Sequence, residues 1–413
     1  MKILLAHKFF HVTGGAEVFF LETGRVLEKN GHEVIYFSTS APENLPCPQE
    51  RYFVAPPDYS SGNLLKRGLG IKKMIWSKDA KAKFARLLAD TKPDIVHVFA
   101  IHVHLSPSIL EAAFEADVPV VMSCNDYKHI CPNYKLFHHG HICKDCKGGR
   151  FFKAIQNRCC KNSMVFSVAS AFEAYVHNTI GVYQKYIHTY LFASEFMARE
   201  TENFWGAGSF RWEMLRNPFE SKKYPYSPEH DDYGLYFGRL VDEKGVDVLI
   251  RAAKLAPDIK LKIVGNGPDE EKLKALAKSC NVTNVELLGP LWGEALDAVL
   301  KRARFVVVPS VWHENFPYVI NQSFAFGKPV IGAERGGITE MVAHGERGLV
   351  YPAQDVQALA EAMLTLWNNP QRAVEMGRKA KDYSDKEFND THQYERLMSI
   401  YKGVLNARAG SGR

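Results

Sequence analysis

The sequence contains no apolar run close to the roughly 20 residues that cross a bilayer as a helix. Its N-terminus, MKILLAHKFF, has neither the long apolar core nor the small-residue cleavage site of a secretory signal. No G-x-G-x-x-G follows the first predicted strand and no G-x-x-x-x-G-K-[ST] occurs, so dinucleotide-binding and P-loop interpretations lose their usual support. These absences predict a cytoplasmic protein.

The bulk composition is that of a folded protein, with 46% hydrophobic and 24% charged residues. A chain of 413 residues exceeds one ordinary core, so we expect two domains of roughly 200 residues each. The net charge is only +6, but residues 66–86, KRGLGIKKMIWSKDAKAKFAR, carry eight Lys or Arg against one acid, Asp79. This stretch suits an anionic membrane surface or an acidic ligand, or is a solvated helix face.

Strands and helices alternate through both halves of the chain. In the first half KILLAH, EVIYFS, DIVHVFA and VPVVMSC are predicted strands, and a predicted helix runs from the glycine pair to about Lys29. The stretch RNPFESKKYPYSPEHDDYG contains three prolines and reads as a connection. The alternation then restarts with LYFGRL, KLKIVG, VELLG, FVVVPS, KPVIGA and GLVYP as strands. Such alternation is typical of parallel sheets covered by helices on both faces.

We therefore predict an α/β protein of two Rossmann-like, doubly wound domains that face each other across a cleft. The first domain is expected at 1–215, with a cysteine-rich insertion at about 124–163, and the second at 216–385. The segment 386–413 is predicted to form a helix that packs back on the first domain, followed by a loose tail, NARAGSGR.

Three short segments carry residues suited to an anionic sugar ligand. Gly14 and Gly15 stand directly before a helix, where free backbone N–H groups form an anion site, although a plain tight turn is the alternative. Arg239 and Lys244 follow the first strand of the second half and could hold a diphosphate, unless they are two surface cations on a loop. Glu314 stands at the end of the strand FVVVPS, where a parallel sheet binds ligands.

Glu314 and Gln322 flank the start of a predicted helix. Pro317 suits the first turn of that helix and Gly327 its end. A carboxylate at this place can accept hydroxyl hydrogen bonds, and Gln322, roughly two turns along the helix, can pair with vicinal hydroxyls as a neutral group. The alternative is that both are cap and surface residues.

Together, TGGAE, YFGRLVDEKGVDVLIRA, KIVGNGPDEEKL, VVPSVWHENFPYVINQSFAFGKPVIG and GERGLVYPAQDVQALAEAM resemble the retaining nucleotide-sugar glycosyltransferases of glycosyltransferase family 4. The resemblance covers nearly the whole chain and is strongest from about 234 to 370. It implies the GT-B fold, an acceptor-side first domain and a donor-binding second domain. It also implies a UDP- or GDP-sugar donor, and a saccharide or lipid-linked acceptor in cell-surface polysaccharide synthesis.

The family motif is Glu, seven residues, Glu, with the first acid facing the donor sugar and the second binding the ribose. Here the first is Glu314 and the second position holds Gln322, so the departure falls on the ribose contact. Asn125 and Asp126 match a segment that often reads His-Asp-Tyr in relatives. No D-x-D occurs, which fits catalysis without a metal or other cofactor. The resemblance implies a catalytic set of Glu314, Arg239, Lys244, Asp126 and Asn125, and a donor-binding set of Gly14, Gly15, Arg239, Lys244, Asn266, Gly267, Glu314, Asn315, Phe316, Pro317, Gln322 and Glu340.

Five of the eight cysteines fall in one short region. Cys143-x-x-Cys146 in a Gly- and Lys-rich loop, with Cys131 and Cys159 on either side, resembles a zinc knuckle. We predict a structural zinc at these four residues, with free thiols and disulfides as the alternatives.

Other interpretations remain open at this point. A zinc-knuckle protein that binds nucleic acid would need dispersed basic residues and exposed aromatics on a binding sheet, so we expect no nucleic-acid partner. A GT-B epimerase or phosphorylase, or an inactive relative, would share the fold. The basic, aromatic-rich first half makes peripheral binding to the inner face of the membrane a further expectation.

Overall fold

A computed structural model describes residues 1–57 and 64–411, except for the side chains of 64–69 and 409–411. The chain divides into two compact units. The first contains Met1–His138, Cys143–Pro218 and Asp390–Arg413, and the second contains His139–Ile142 and Phe219–Asn389. Lys66 and Arg67 of the basic stretch lie outside the described side chains.

The elements up to Pro218 alternate between strand and helix. The strands are β1 Lys2–Ala6, β2 Glu33–Phe37, β3 Ile95–Val98, β4 Val120–Cys124, β5 Phe137–His138, β6 His141–Ile142, β7 Thr189–Phe192 and β8 Trp212–Met214. The helices are α1 Gly15–Lys29, α2 Leu64–Ile75, α3 Lys78–Thr91, α4 Ser108–Glu115, α5 Phe152–Gln156, α6 Met164–Ile180, α7 Val182–Tyr186 and α8 Glu195–Trp205.

The first sheet is wholly parallel, in the order β2-β1-β3-β4-β7-β8. Because side chains alternate along a strand, each strand supplies both faces of the sheet. Leu4 and Val96 join the apolar cluster on one face, whereas Leu5 and Ile95 join the cluster on the other. Burial on both faces explains why these strands are nearly continuous apolar runs.

The second unit has the same construction. Its strands are β9 Gly234–Phe237, β10 Leu261–Val264, β11 Val285–Gly289, β12 Phe305–Val308, β13 Val330–Ala333 and β14 Gly348–Tyr351. Its helices are α9 Val246–Leu255, α10 Glu270–Ser279, α11 Gly293–Arg302, α12 Tyr318–Ala325, α13 Ile338–Val342, α14 Val356–Trp367 and α15 Pro370–Glu387. The parallel order β11-β10-β9-β12-β13-β14 is that of the Rossmann fold. The predicted α/β class with two Rossmann-like domains is confirmed.

The last helix, α16 at Asp390–Ser411, belongs to the first unit. The Asp390 carboxylate accepts hydrogen bonds from Arg25, at 2.7 and 3.0 Å, and from Lys29 Nζ at 3.0 Å. These cations, Arg25 first, lower the pKa of Asp390 to about 2. The Tyr401 hydroxyl lies 2.7 Å from Nδ1 of the buried His97 of β3. The helix thereby completes the core on one face of the first sheet.

The prediction of a loose tail from Asn406 is wrong as far as Ser411, because α16 continues to that residue. Arg408 explains part of the extension, since its Nη1 donates a hydrogen bond to the carbonyl oxygen of Asp117 at 2.8 Å.

None of the helices in the described ranges combines the length and the apolar character of a membrane-spanning segment.

Candidate active site

In the second sheet the strand order reverses between β9 and β12. Loops that leave the carboxyl ends of two such strands diverge and leave a crevice, which is where open α/β sheets bind ligands. The loop after β9 carries Arg239 and Lys244, and the loop after β12 carries Glu314. The fold therefore brings together two segments that lie about 70 positions apart in the sequence.

Lys244 and Glu314 form an ion pair at this point. Lys244 Nζ lies 2.6 Å from Glu314 Oε1, and the Ser310 hydroxyl donates to the same oxygen at 2.7 Å. The Glu314 side chain is 7% exposed and that of Lys244 is 26% exposed. The Lys244 ammonium also lies 5.7 Å from the centre of the Trp312 ring. A buried carboxylate is thus held in one place, with a partly exposed cation beside it.

Two glycines let the backbones approach closely enough to form this pair. Gly245 has a φ of +67°, and a Cβ built there would lie 2.1 Å from the carbonyl oxygen of Pro309. A Cβ at Gly336 would lie 2.1 Å from the carbonyl oxygen of Glu314. Any larger residue at either position would push apart the loops that carry Lys244 and Glu314.

The start of α13 holds the Glu314 loop from the other side. The Gly337 N–H donates to the Glu314 carbonyl oxygen at 2.8 Å, and Arg335 Nε donates to the Val311 carbonyl oxygen at 3.1 Å. Glu340 lies on the half-buried face of this short helix. The structure therefore places Glu340 on an element bonded directly to the Glu314 loop.

Arg239 is exposed, and among the described residues it makes no ion pair. Its neighbour Leu240 donates an N–H to the carbonyl oxygen of Asn266 at 2.9 Å. A Cβ at Gly267 would lie 2.1 Å from the carbonyl oxygen of Leu240. The loops after β9 and β10, which carry four predicted donor residues, are therefore bonded side by side.

The segment between Glu314 and α12 is buried. Asn315 and Phe316 are 8% and 5% exposed, and the Phe316 ring packs edge-on against Phe388 at 5.5 Å. Pro317 caps α12 in an extended conformation, one residue before the helix, and Gln322 is half-buried on the second turn. Phe316 is thus a packing residue in this structure.

Tyr236 of β9 lies under the loop that carries Arg239. Its hydroxyl donates to the Arg239 carbonyl oxygen at 2.8 Å. Burial raises the pKa of Tyr236 above its usual range, and the Glu314 charge adds to this effect. A neutral phenol therefore supports the loop. Sequence reasoning missed Tyr236 and Ser310, although Tyr236 lies within the predicted strand LYFGRL and Ser310 ends the predicted strand FVVVPS.

In the first unit, α1 begins at Gly15 with Gly14 as its cap, as predicted. The first turn of this helix also contains Glu17, which is 4% exposed and lies 3.7 Å from His7 Nε2. Burial lowers the pKa of His7 to about 3, so the imidazole is neutral at pH 7. A carboxylate already occupies the first turn beside the glycine pair, and an incoming anion would meet it. The pattern G-G-x-E in the sequence could have indicated that Glu17 lies in the first turn of the helix, beside the glycine pair.

Asn125 and Asp126 follow β4 in the first unit. Asp126 Oδ1 accepts the Lys128 N–H at 2.9 Å, and burial raises the pKa of Asp126. Lys128 Nζ in turn lies 2.6 Å from Glu173 Oε2 in an ion pair whose side chains are 7% and 1% exposed. The sequence did not indicate this buried pair, because Glu173 lies on α6, 45 positions away.

Cys131, Cys143, Cys146 and Cys159 line one small cavity, together with His138 and Asn157. None of the four forms a disulfide. The atoms that lie within 4.8 Å of one another, as metal ligands would, are those of His138, Cys143 and Asp145. The other three cysteines stand outside that group. The predicted four are thus neighbours, but they are not arranged as a finished tetrahedral site.

The chain is an α/β protein with two Rossmann-like units, which is the architecture of GT-B glycosyltransferases. The family model for glycosyl transferases group 1 matches residues 219–383, and that for glycosyltransferase family 4 matches residues 13–190. The chain belongs to these family 4, group 1 glycosyltransferases, as the motifs indicated.

One similar protein is the D-rhamnosyltransferase WbpZ of Pseudomonas aeruginosa, 36% identical over 149 residues, which are 36% of this chain and 39% of that protein. In this and other curated relatives, the region matched by the chain spans less than half of the relative's length.

Solved structures confirm the fold. A sucrose-phosphate synthase from Thermosynechococcus elongatus superposes with a TM-score of 0.71 at 17% identity, covering 98% of this chain and 99% of that one. HepE of Anabaena, in complex with UDP and glucose, superposes with a TM-score of 0.67 at 16% identity, covering 97% and 100%.

Proposed function

We propose that this protein is a retaining hexosyltransferase. It would move a sugar from a UDP- or GDP-sugar to a saccharide or lipid-linked glycan acceptor in cell-surface polysaccharide synthesis. The observation that carries the proposal is the Lys244–Glu314 pair at the strand-order reversal of the second sheet. Membership in a glycosyltransferase family supports the reaction class. The structure of HepE in complex with UDP and glucose supports a nucleotide-sugar donor.

In the proposed reaction the bond between the anomeric carbon and the diphosphate oxygen breaks, and a bond to an acceptor hydroxyl oxygen forms. The departing diphosphate accumulates negative charge, which Lys244 and Arg239 neutralise. The hydroxyl proton passes to that diphosphate, so no base from the protein is required. Glu314 lies at the sugar end, where a fixed carboxylate accepts hydroxyl hydrogen bonds or stabilises positive charge on the ring. The retention of configuration rests on the family resemblance.

The Lys244–Glu314 pair gives this mechanism a resting state. Without donor, the ammonium is paired with the carboxylate at 2.6 Å. A diphosphate with two or more negative charges attracts the same ammonium more strongly than one carboxylate does. We infer that donor binding redirects Lys244 to phosphate and frees Glu314 to contact the sugar. Gly14, Gly15, Asn125 and Asp126 stay predicted contacts from the first unit.

Binding of nucleoside diphosphates tests the proposal most directly. A ligand that binds only the folded protein stabilises it by about 2.7 kcal/mol at one hundred times its Kd. We expect one of UDP and GDP, with the matching sugar nucleotides, to raise the unfolding temperature, and the other to raise it less. Thermal unfolding with each nucleotide measures this. If neither nucleotide shifts the transition and no sugar is transferred, the proposal fails.

Gln322 supplies a prediction about donor affinity. It is half-buried on α12, where relatives carry an acid that binds ribose. Replacing neutral hydrogen bonds by charge-assisted ones gains on the order of 1 kcal/mol. We therefore expect Gln322→Glu to lower the KM for the donor about fivefold and to leave kcat nearly unchanged. Steady-state kinetics checks this, with the exposed Gln371→Glu as control. An unchanged or higher KM would remove Gln322 from the ribose site.

We also propose that Cys131, Cys143, Cys146 and Cys159 hold a structural zinc, since they line one cavity. Elemental analysis of the purified protein should then find about one zinc per chain. The double variant Cys143→Ser/Cys146→Ser should lose the metal and unfold at a lower temperature. The matched control Cys47→Ser/Cys280→Ser, whose thiols lie elsewhere, should keep it. A stable, metal-free wild-type protein would refute the zinc proposal and indicate that the four cysteines are free thiols.

A further inference from the structure

Half of the large apolar side chains that are exposed in the described residues lie between 152 and 180. Six of them form what we call the α6 surface. Their exposed fractions run from 38% for Tyr175 to 58% for Phe172. The members are Phe152, Met164, Val165, Val168, Phe172 and Tyr175.

The six residues form one continuous stripe. From Val165 to Tyr175, four of them follow one another along α6 at spacings of three or four residues, which places them on one face of the helix, and Met164 begins the helix beside them. The sixth, Phe152, is held next to this face because its N–H donates to the Tyr175 hydroxyl at 3.1 Å. The opposite face of α6 is buried within the first unit and carries Glu173 and His177. The helix is therefore fixed by its inner face, and its outer face is left apolar.

The segment that carries this stripe is mainly basic, although the exposed Asp145 directly precedes it. From Cys146 to Tyr186 the sequence contains six Lys or Arg and a single acid, Glu173. That acid is 1% exposed and paired with Lys128, so it offers no negative charge at the surface. Lys153 stands directly beside the stripe, with its Nζ 5.5 Å from the centre of the Phe152 ring. Lys161, just before α6, has its Nζ 4.9 Å from the centre of the Phe166 ring, which lies outside the stripe.

Helix α2 of the first unit carries further cations. It packs against α6, and His177 Nε2 lies 2.8 Å from the carbonyl oxygen of Ile75 at its end. Lys72 and Lys73 on this helix are exposed. The part of the basic stretch 66–86 that lies on α2 therefore packs on the helix that carries the apolar stripe.

We propose that the α6 surface docks this protein on an anionic lipid bilayer. Apolar side chains flanked by Lys and Arg are the combination that lies in the headgroup region of a membrane, with the rings among the acyl chains and the ammonium groups at the phosphates. A second copy of the chain would bring the cations of this basic segment, Lys153 among them, close to their own counterparts, which the charge disfavours. The docking extends the proposed function, since it would hold the enzyme where a lipid-linked acceptor lies.

Sedimentation with vesicles tests the docking without any measure of activity. The full-length protein should pellet with vesicles of phosphatidylglycerol and phosphatidylcholine, and much less with phosphatidylcholine alone. Val168→Glu/Phe172→Glu should weaken that binding at least about tenfold. Lys153→Gln/Lys161→Gln should weaken it about fivefold per lysine and reduce its dependence on salt. Leu255→Glu, at a similarly exposed apolar residue of the second unit, is the matched control and should bind as the wild type.

Equal pelleting of the wild type and the Val168/Phe172 variant, or none by the wild type, would overturn the inference. A wild-type dimer in solution that this variant converts to monomer would assign the surface to a second copy instead. Circular dichroism should show each variant folded, because the changed side chains are exposed. A protein that binds UDP or GDP but not vesicles would refute the docking and leave the proposed function standing. Vesicle binding without any nucleotide binding would refute the proposed function and leave the docking standing.

Discussion

Replacing Lys244 with alanine is expected to lower the turnover of sugar transfer by about two to three orders of magnitude, the usual loss when one fixed donor to a developing charge is removed. The reason is that the loop after β9 places this ammonium at the strand-order reversal, where the leaving diphosphate would gain its charge. Affinity for the nucleoside diphosphate should fall as well, because the same cation is proposed to attract it before the reaction. Single-turnover kinetics and calorimetry of UDP or GDP binding measure the two effects separately.

The control for Lys244→Ala is Lys254→Ala. Lys254 is an exposed lysine in the last turn of α9, ten residues further along the same segment. Its loss should change neither turnover nor binding. Lys244→Ala also takes the cation away from the buried Glu314 carboxylate and leaves it the hydrogen bond from Ser310, so some loss of thermal stability is expected. A folded Lys244→Ala enzyme that transfers sugar at a near-normal rate would contradict the assignment to the diphosphate.

Replacing Glu314 with glutamine is expected to lower turnover by about a hundredfold while binding of the nucleoside diphosphate stays equal or becomes tighter. Glutamine keeps the shape of the side chain but removes its charge. In the proposed mechanism, the charged sugar ring of the transition state would then lose its stabilising carboxylate. In the free protein, Lys244 loses the partner that competes with phosphate. Opposite effects on turnover and on diphosphate binding would separate the role of Glu314 from that of Lys244.

The same two measurements apply to Glu286→Gln as control, since Glu286 is an exposed acid on the edge strand β11. This variant should behave as the wild type. If Glu314→Gln instead weakens diphosphate binding as strongly as Lys244→Ala does, the carboxylate acts only by positioning the lysine. In that case its proposed contact with the sugar is wrong.

Much of the fold could be predicted from the sequence because its signals are local. Buried parallel strands such as IVHV and FVVV are continuous apolar runs, and each alternates with an amphipathic helix. The start of α1 at the glycine pair is likewise indicated by neighbouring residues in the sequence. The end of α16 was missed because its stability comes from distant partners, among them Asp117, which accepts from Arg408.

The candidate site was predictable as a set of residues but not as an arrangement. Arg239, Lys244 and Glu314 each stand at a strand end, which the sequence indicates, whereas the 2.6 Å pair depends on β9 lying next to β12. The order of strands in a sheet is set by the whole domain core, so no local pattern reveals it. The need for glycine at position 336 could not be predicted either. It arises because the backbone of Glu314, 22 positions earlier in the chain, lies too close for a side chain.

The sequence pattern of helix α6 does not predict which of its faces is exposed. Its sequence, MVFSVASAFEAYVHNTI, is apolar on nearly all sides, which is typical of a helix buried in a core. Only the packing reveals that the face with Phe172 is left uncovered while the face with Glu173 is buried.

The passage of the chain from the second unit back into the first at Asp390 has a consequence for synthesis on the ribosome. The apolar face that receives Leu397 and Tyr401 stays open until the last stretch of polypeptide has emerged, although the rest of that unit was made long before. The first unit of the nascent chain would therefore expose part of its apolar core until residues 390–411 have been synthesised. For the same reason, expression of residues 1–218 alone should yield an aggregation-prone fragment, which a separately supplied 390–411 peptide could rescue.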